Sequence, residues 1–270
     1  MTQQQNAQTF HRLHEGPGVL VLPNAWDAAS AAMMEDAGAR AVATSSAALA
    51  WSHGYADGHD LPVPVLATAI AEIVRVLGAP LTADIEGGYS DDPARVGEIV
   101  GAVIGAGAVG INLEDGEASP DLHCRKIEAA RETAVRRGVA LFVNARIDVY
   151  LRGLAQGEAA FAETLDRARR YQAAGADGIF VPGPADEALI GQLAQGIDLP
   201  LNVMARGGAP PAARLQDLGV RRLSSATGLF RAAFASLARA TEAYLRDGDP
   251  GPLAIAGQGA PDLNARFAQR

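Results

Sequence analysis

Amphipathic stretches alternate with short apolar runs along this chain, and the joint between them repeats. Ala37-Gly38-Ala39 stands before the run at residues 41–45 and Ala106-Gly107-Ala108 before 109–113. Ala174-Gly175-Ala176 stands before 178–181, and Leu218-Gly219-Val220 before 221–224. Each glycine falls where a helix C-cap takes a left-handed backbone. The runs that follow are short, apolar and bounded on both sides, as strands buried on both faces are. Four more, at residues 19–22, 80–83, 140–143 and 199–203, complete a set of eight. Eight strands alternating with helices within one chain of this length predict an α/β fold of the (β/α)8 TIM-barrel type. The barrel is expected over residues 1–245, with 229–245 as its last helix. Residues 246–270 form a Gly/Pro-rich tail expected to pack on the barrel or on a neighbouring subunit.

Barrel enzymes place their chemistry at the C-terminal ends of the strands. The polar residues after the runs are Asn24, Trp26 and Asp27; Ser45 and Ser46; Asp84 and Glu86; Asn112, Glu114 and Asp115; Asn144, Arg146 and Asp148; Pro182; Asn202 and Arg206; Ser224 and Ser225. Asp84 and Glu86 are two apart, so on a strand both face one way. With Glu114 they form a carboxylate cluster that repels itself unless a cation sits among it. A hard ion with oxygen ligands suits the set, Mg²⁺ foremost and Mn²⁺ as the alternative, with water between ion and carboxylates. The competing role is helix capping, which Asp91 or Asp92 with Pro93 fills nearby. Gly87-Gly88 is a turn, or lets a substrate approach the backbone. Arg146 either forks onto a substrate carboxylate or pairs with Glu114 or Asp148.

Composition narrows the function classes. A formal charge of −8, from 23 basic and 31 acidic residues, argues against nucleic-acid binding. A local cluster of arginine and metal still admits an anionic substrate. The single cysteine, Cys124, excludes an intramolecular disulfide. No run approaches the roughly 18 apolar residues of a membrane span. The polar start lacks a secretory signal, so a cytoplasmic location is expected.

Five ordered segments carry a resemblance. Leu22-Pro23-Asn24-Ala25-Trp26-Asp27, Ala43-Thr44-Ser45-Ser46-Ala47, Asp84-Ile85-Glu86-Gly87-Gly88-Tyr89, Asn112-Leu113-Glu114-Asp115 and Asn144-Ala145-Arg146 resemble the isocitrate lyase / phosphoenolpyruvate mutase superfamily in order and spacing. That resemblance implies Mg²⁺-dependent making or breaking of a C–C or P–C bond beside a 2-oxo acid, through an enolate. It implies Asp84 as the metal-binding acid, with Glu86 and Glu114 ligating through water. Ser45, Ser46 and Ala47 would contact the substrate carboxylate, Trp26 would wall the pocket, and Asp57 matches an acid near the metal. Gly87, Asn112 and Asn202 join the expected substrate contacts, and Arg146 would polarise the 2-oxo oxygen. The resemblance further implies a homo-oligomer, tetramer or dimer, that swaps the last barrel helix.

Departures shape the substrate expectation. The lyases of the superfamily carry a Lys-(Lys/Arg)-Cys-Gly-His loop, whereas residues after Glu114 read Asp115-Gly116-Glu117-Ala118-Ser119-Pro120-Asp121-Leu122-His123-Cys124. Cys124 reads as part of the next helix. The Lys and Asn of phosphonopyruvate-type enzymes are absent between Asp115 and His123, and Pro182 stands where phosphonate-specific relatives have histidine. His123 is the expected proton donor, carried over the enolate by a mobile loop. His53 and His59 flank Asp57 in a Gly-rich loop and read as exposed loop residues, with an acid/base role for either as the alternative. His11 and His14 read as surface positions of the first helix. The leading expectation is a lyase or hydrolase cleaving a C–C bond of a small 2-oxo or 2-hydroxy di- or tricarboxylate. The alternatives are a P–C bond enzyme of the phosphonopyruvate hydrolase or mutase type, and a non-catalytic metabolite-binding barrel.

Overall fold

Pro23 breaks the first strand in two. Proline has no N–H to give to a ladder, so Leu20–Leu22 (β1) pairs with the final strand and Asn24–Ala25 (β2) with the next. The others are β3 (Val42–Thr44), β4 (Leu81–Asp84), β5 (Gly110–Glu114), β6 (Phe142–Arg146), β7 (Gly178–Phe180), β8 (Leu201–Met204) and β9 (Arg222–Ser224). The computed structural model describes residues 2–268. All pairings are parallel, in the order β1-β9-β8-β7-β6-β5-β4-β3-β2. Since β1 and β2 are contiguous in the chain, the two ends of that order meet, and the sheet closes as the predicted (β/α)8 barrel.

The helices are α1 (Gln3–Glu15), α2 (Ala28–Asp36), α3 (Ser46–Ser52), α4 (Val63–Val76), α5 (Pro93–Gly105), α6 (Pro120–Arg137), α7 (Val149–Arg152), α8 (Gly157–Ala173), α9 (Glu187–Gly196), α10 (Ala212–Asp217), α11 (Gly228–Asp247), α12 (Gly251–Ala256) and α13 (Leu263–Ala268). Gly38, Gly107, Gly175 and Gly219 all have positive φ just past a helix, as the joints predicted. One strand lies clearly further along than expected. β6 runs through Arg146, so Asn144 belongs to the strand rather than to the loop after it, while Asn112 and Asn202 lie within β5 and β8 as their runs placed them.

The core has two parts. A large shell lies between strands and helices. A smaller cluster joins Ala7, Phe10 and Leu13 of α1 to Leu20, Leu22, Ala43 and Phe142 of the barrel. Helix α1 thus plugs one end. Gly110 makes room for it, because a Cβ there would lie 2.8 Å from Thr82 Oγ1 and 2.9 Å from Phe10 Cε1. The plug corrects the expected surface positions of two histidines. His14 follows Ala7 and Phe10 on one helical stripe, is buried, and stacks on Phe142 at 4.2 Å. Its Nδ1 bonds the Phe10 carbonyl at 2.8 Å. His11 is half-buried, with Nε2 3.0 Å from the Ala140 carbonyl.

Helix α11 differs from the others. It spans 20 residues yet buries only Phe230, while Leu229, Phe234, Leu237 and Leu245 are exposed. Beyond it, Arg266 of α13 pairs with Glu35 at 2.9 Å and Asp36 at 2.8 Å, holding α13 against the end of α2. No helix among the described residues is long and apolar enough to cross a membrane.

Candidate active site

Asp84 closes β4, and its backbone N–H donates to Thr44 Oγ1 at 2.9 Å. Its Oδ1 accepts the N–H of Glu86 at 3.0 Å, starting a tight turn through Glu86, Gly88 and Tyr89, all at positive φ. Among the described residues the non-glycines with positive φ are His59, Glu86, Tyr89 and Ala226. All four lie at the C-terminal rim. Such backbone costs about 1–3 kcal/mol per residue and persists where the surroundings hold it, a pattern concentrated at functional sites. His59 helps to hold this turn. Its N–H donates to Glu86 Oε2 at 2.5 Å, and the Gly87 N–H donates to its Nε2 at 3.0 Å. The Nε2 is therefore the acceptor, and the ring proton sits on Nδ1. A Cβ on Gly87 would stand 3.3 Å from this ring.

The neighbouring strand ends bring Glu114 and Arg146 side by side in register. Arg146 Nη1 lies 2.5 Å from Glu114 Oε2, and its Nε donates to Asp148 Oδ1 at 2.6 Å. Arg152 adds contacts to Asp148 at 3.2 Å and Glu114 at 3.8 Å. The ion-pair role expected of Arg146 is thus present in the structure. Asp115 is taken up elsewhere, accepting from Arg167, the Tyr171 hydroxyl and the Asp148 N–H.

Burial sets the electrostatics. It pushes the Asp84 carboxyl above the usual range, against the opposing pull of Arg146 and the Glu86 N–H. Burial raises Glu86 to about 7, with the Asp57 and Asp84 charges adding to it and the His59 N–H opposing. Glu114 rises to about 8, again chiefly by burial, with Arg146 opposing and Asp84 adding. Three carboxyls in one field each resist ionisation, and a nearby dication relieves all three. Among the described residues no three His, Cys, Asp or Glu side chains converge as a direct ligand set. The donor set fits an ion held directly by Asp84 and through water by the glutamates, the manner in which Mg²⁺ keeps part of its shell.

The mouth of the barrel holds a cavity of about 160 Å³. Ser45, Ser46, Ala47, Asp57, Asp84, Asn112 and Arg146 line it, so seven of the residues singled out from sequence converge. Pro182 lines it too. Glu114 and Gly87 line an adjoining polar cavity of about 350 Å³ with His59, Lys126 and Arg152. Glu86 is buried beneath His59. Asn202 lies inside the barrel below the cavity, its Oδ1 accepting from Ser224 Oγ at 3.0 Å. Trp26 stands apart from the mouth. It lines an apolar groove with Met33, Leu229 and Ala233, edge-on to Phe230.

His123 does not ride on a mobile loop. Ser119 caps α6 and Pro120 opens it, so His123 sits in the first turn, fully buried against Tyr171 with ring centroids 4.5 Å apart. Neither ring nitrogen has a partner, and burial, helped by Lys126 and Arg167, lowers it to about 3. It is a neutral packing residue that lines neither cavity at the strand ends. Cys124 lies in the same helix, as expected, with Sγ 3.7 Å from the Arg170 carbonyl. His59 is exposed, as expected, with 45% of its side chain accessible, while its ring nitrogen and backbone support the turn. The sequence reading passed over Lys126, whose Nζ donates to the Gly87 carbonyl at 2.9 Å and Asp91 at 3.0 Å, and over Arg152. Lys126 shares the buried stripe of α6 with Ile127 and Ala130, and a lysine inside such a stripe is the signal that could have found it.

Comparison with known proteins fits this geometry. The family model for phosphoenolpyruvate phosphomutase matches residues 10–245. The chain belongs to that family. An uncharacterised protein of Mycobacterium tuberculosis is 35% identical over 251 residues, covering 92% of each chain. Among solved structures, a candidate phosphonomutase from Burkholderia cenocepacia J2315 is 39% identical with a TM-score of 0.85, covering 88% of this chain and 99% of that one. A candidate lyase/mutase from the same organism is 32% identical with a TM-score of 0.88, covering 98% and 96%. The relatives include both mutases and lyases, among them a carboxyvinyl-carboxyphosphonate phosphorylmutase of Arabidopsis thaliana and a 2-methylisocitrate lyase of Bacillus subtilis.

Proposed function

We propose that this barrel is a Mg²⁺-dependent carbon–carbon lyase acting on a small 2-oxo or 2-hydroxy dicarboxylate. The observation that carries the reading is Asp84 and Arg146 lining one cavity at the mouth, with Glu114 paired to Arg146 and Glu86 following Asp84 in the turn, and all three acids above their usual range. When bound, the ion supplies positive charge for the oxygens of a 2-oxo acid and its enolate. Asp84 would hold it directly, with Glu86 and Glu114 reaching it through water, and Mn²⁺ as a substitute. Ser45, Ser46 and Ala47, at the start of α3, offer hydroxyl and N–H donors to a carboxylate in the cavity. Arg146, fixed by Glu114 and Asp148, brings a preorganised fork to the oxygen on which charge develops. Asp57 hangs over the cavity from the loop before α4 and can orient water there. Trp26 and Asn202 act from behind this wall rather than as substrate contacts.

A phosphonate enzyme is the second reading, favoured by the likeness to a candidate phosphonomutase. Against it stand Pro182 in the cavity wall and the five-residue connection between β5 and α6, which offers neither Lys nor Asn. Thermal unfolding with Mg²⁺ and oxalate, alone and together, tests the site itself. Ligand at about a hundredfold its Kd should stabilise by roughly 2.7 kcal/mol. A shift that needs both is expected; no shift in any combination would remove the enolate reading. Parallel turnover assays with oxaloacetate and phosphonopyruvate then separate lyase from phosphonate chemistry.

The exposed apolar face of α11 supports a homo-oligomer in the cytoplasm, each chain covering Leu229, Phe234 and Leu237 on another. Light scattering at micromolar concentration should give two or four times the 27.9 kDa chain mass. A monomer mass would count against this assembly.

A further inference from the structure

Inside the barrel, beneath the mouth cavity, the side chains are polar. Register places Asp84, Asn112 and Asn144 on one level across β4, β5 and β6, and Asn202 beside Arg222 across β8 and β9. Arg222 is fully buried. Its Nη2 donates to Asn112 Oδ1 at 3.1 Å, its Nε donates to Ser224 Oγ at 3.1 Å, and Nη1 has no partner. No carboxylate among the described residues pairs with it, while Arg146 and Arg152 at the rim are each held by acids. Burial lowers its pKa to about 9, so it remains charged at neutral pH, and the acid that acts on it is Asp84. A buried charge without a counter-charge is costly. Such a group persists where a ligand brings the missing charge or where it fixes other groups that bind one.

The hydrogen bonds show what it fixes. Asn112 Oδ1 accepts from both Arg222 and Asn144 Nδ2, the latter at 2.8 Å. With its oxygen so engaged, the Asn112 amide can turn only its NH₂ toward the cavity that it lines. Ser224 Oγ accepts from Arg222 and so donates its own proton to Asn202 Oδ1. One guanidinium sets the orientation of both cavity-lining groups.

We propose that Arg222 is a positioning residue for anion binding, a fixed cation under the mouth that holds Asn112 as a donor and offsets the charge of a dicarboxylate. The inference rests on the 2-oxo acid reading above. Its charge favours an anion in the cavity and disfavours a cation at Asp84, so the two affinities should part when it is removed.

The test is calorimetric titration of Mg²⁺ alone, and of oxalate at saturating Mg²⁺, on wild type, Arg222→Met, Arg222→Gln and Arg222→Lys, each with its melting temperature. Arg222→Met should melt no lower than wild type, bind Mg²⁺ at least as tightly, and bind oxalate about tenfold or more weakly. Arg222→Lys should recover part of the oxalate affinity and Arg222→Gln should not. A folded Arg222→Met that binds oxalate within about twofold of wild type overturns the inference, as does a lower melting point with Mg²⁺ and oxalate affinity lost together. Should Arg222→Met not fold, Lys and Gln decide: oxalate bound about threefold or more tightly by Lys upholds the inference, and equal binding overturns it. Wild type that binds no oxalate with Mg²⁺ removes the enolate reading itself, and this inference falls with it.

Discussion

Asp84→Asn is expected to weaken Mg²⁺-dependent oxalate binding by about a hundredfold or more, roughly 2.7 kcal/mol, while leaving the unliganded fold intact. The two halves of that result have one cause. Asp84 is buried, and burial pushes its carboxyl upward, so the charged form is carried at a cost to the fold. An amide of the same shape removes that cost and relieves the repulsion felt by Glu86 and Glu114. It can still accept the Glu86 N–H that starts the turn. What it cannot do is give an anionic oxygen to a hard dication. Calorimetric titration of Mg²⁺ and then oxalate, beside the melting temperature without ligand, reads both halves. Oxalate affinity retained within about tenfold would mean that Asp84 is a structural acid. A collapse of the melting temperature would mean that its charge stabilises the rim, contrary to its raised pKa.

The barrel was legible because its signals are local and repeated. Gly38, Gly107, Gly175 and Gly219 each adopt the left-handed backbone that ends a helix, and an apolar run follows each. The acids of the rim were legible as well, since Asp84, Glu86 and Glu114 follow such runs directly. The first apolar run stops at Leu22, yet the strand resumes beyond Pro23, because its two parts pair with different neighbours, β9 and β3. β6 continues past its apolar start through Asn144 to Arg146, so a search for apolar runs stops short of Asn144, and it meets Asn202 within β8 without knowing which way it faces. His14 and His123 were misplaced although their spacing carried the answer. His14 lies four residues after Phe10, and His123 precedes Ile127 and Ala130 at intervals of four and seven, each on the buried stripe of its helix. The positive φ of Glu86 and Tyr89 leaves no such trace, because these residue types adopt it only where tertiary contacts compel it.

The same two histidines should make the fold acid-sensitive. Each is held neutral in the folded state at about 3, His14 by burial and then by the Arg222 charge, His123 by burial and then by Lys126. In the unfolded chain a histidine titrates near 6.5. Their folded values are depressed, so unfolding takes up protons below pH 6.5, and stability present above that pH is lost as it falls toward 3. At pH 4 the loss is on the order of 3 kcal/mol for each, against a total of about 5–15 kcal/mol for a typical domain. Glu86 and Glu114 act in the opposite sense, since their folded values are raised and their cost fades as pH falls from about 8. A comparison that cancels the glutamates is therefore needed. In His14→Phe/His123→Phe, phenylalanine fills much of each imidazole's place and carries no proton. His123 gives up no hydrogen bond, and His14 gives up one to the Phe10 carbonyl. Urea unfolding at pH 8, 6, 5 and 4 should show the variant gaining on wild type by several kcal/mol, all of it below pH 6.5. Parallel profiles would mean that the imidazoles are protonated inside the fold, with one charge buried in the plug against Phe10 and Phe142 and the other in α6 against Tyr171, beside the like charges of Lys126 and Arg167.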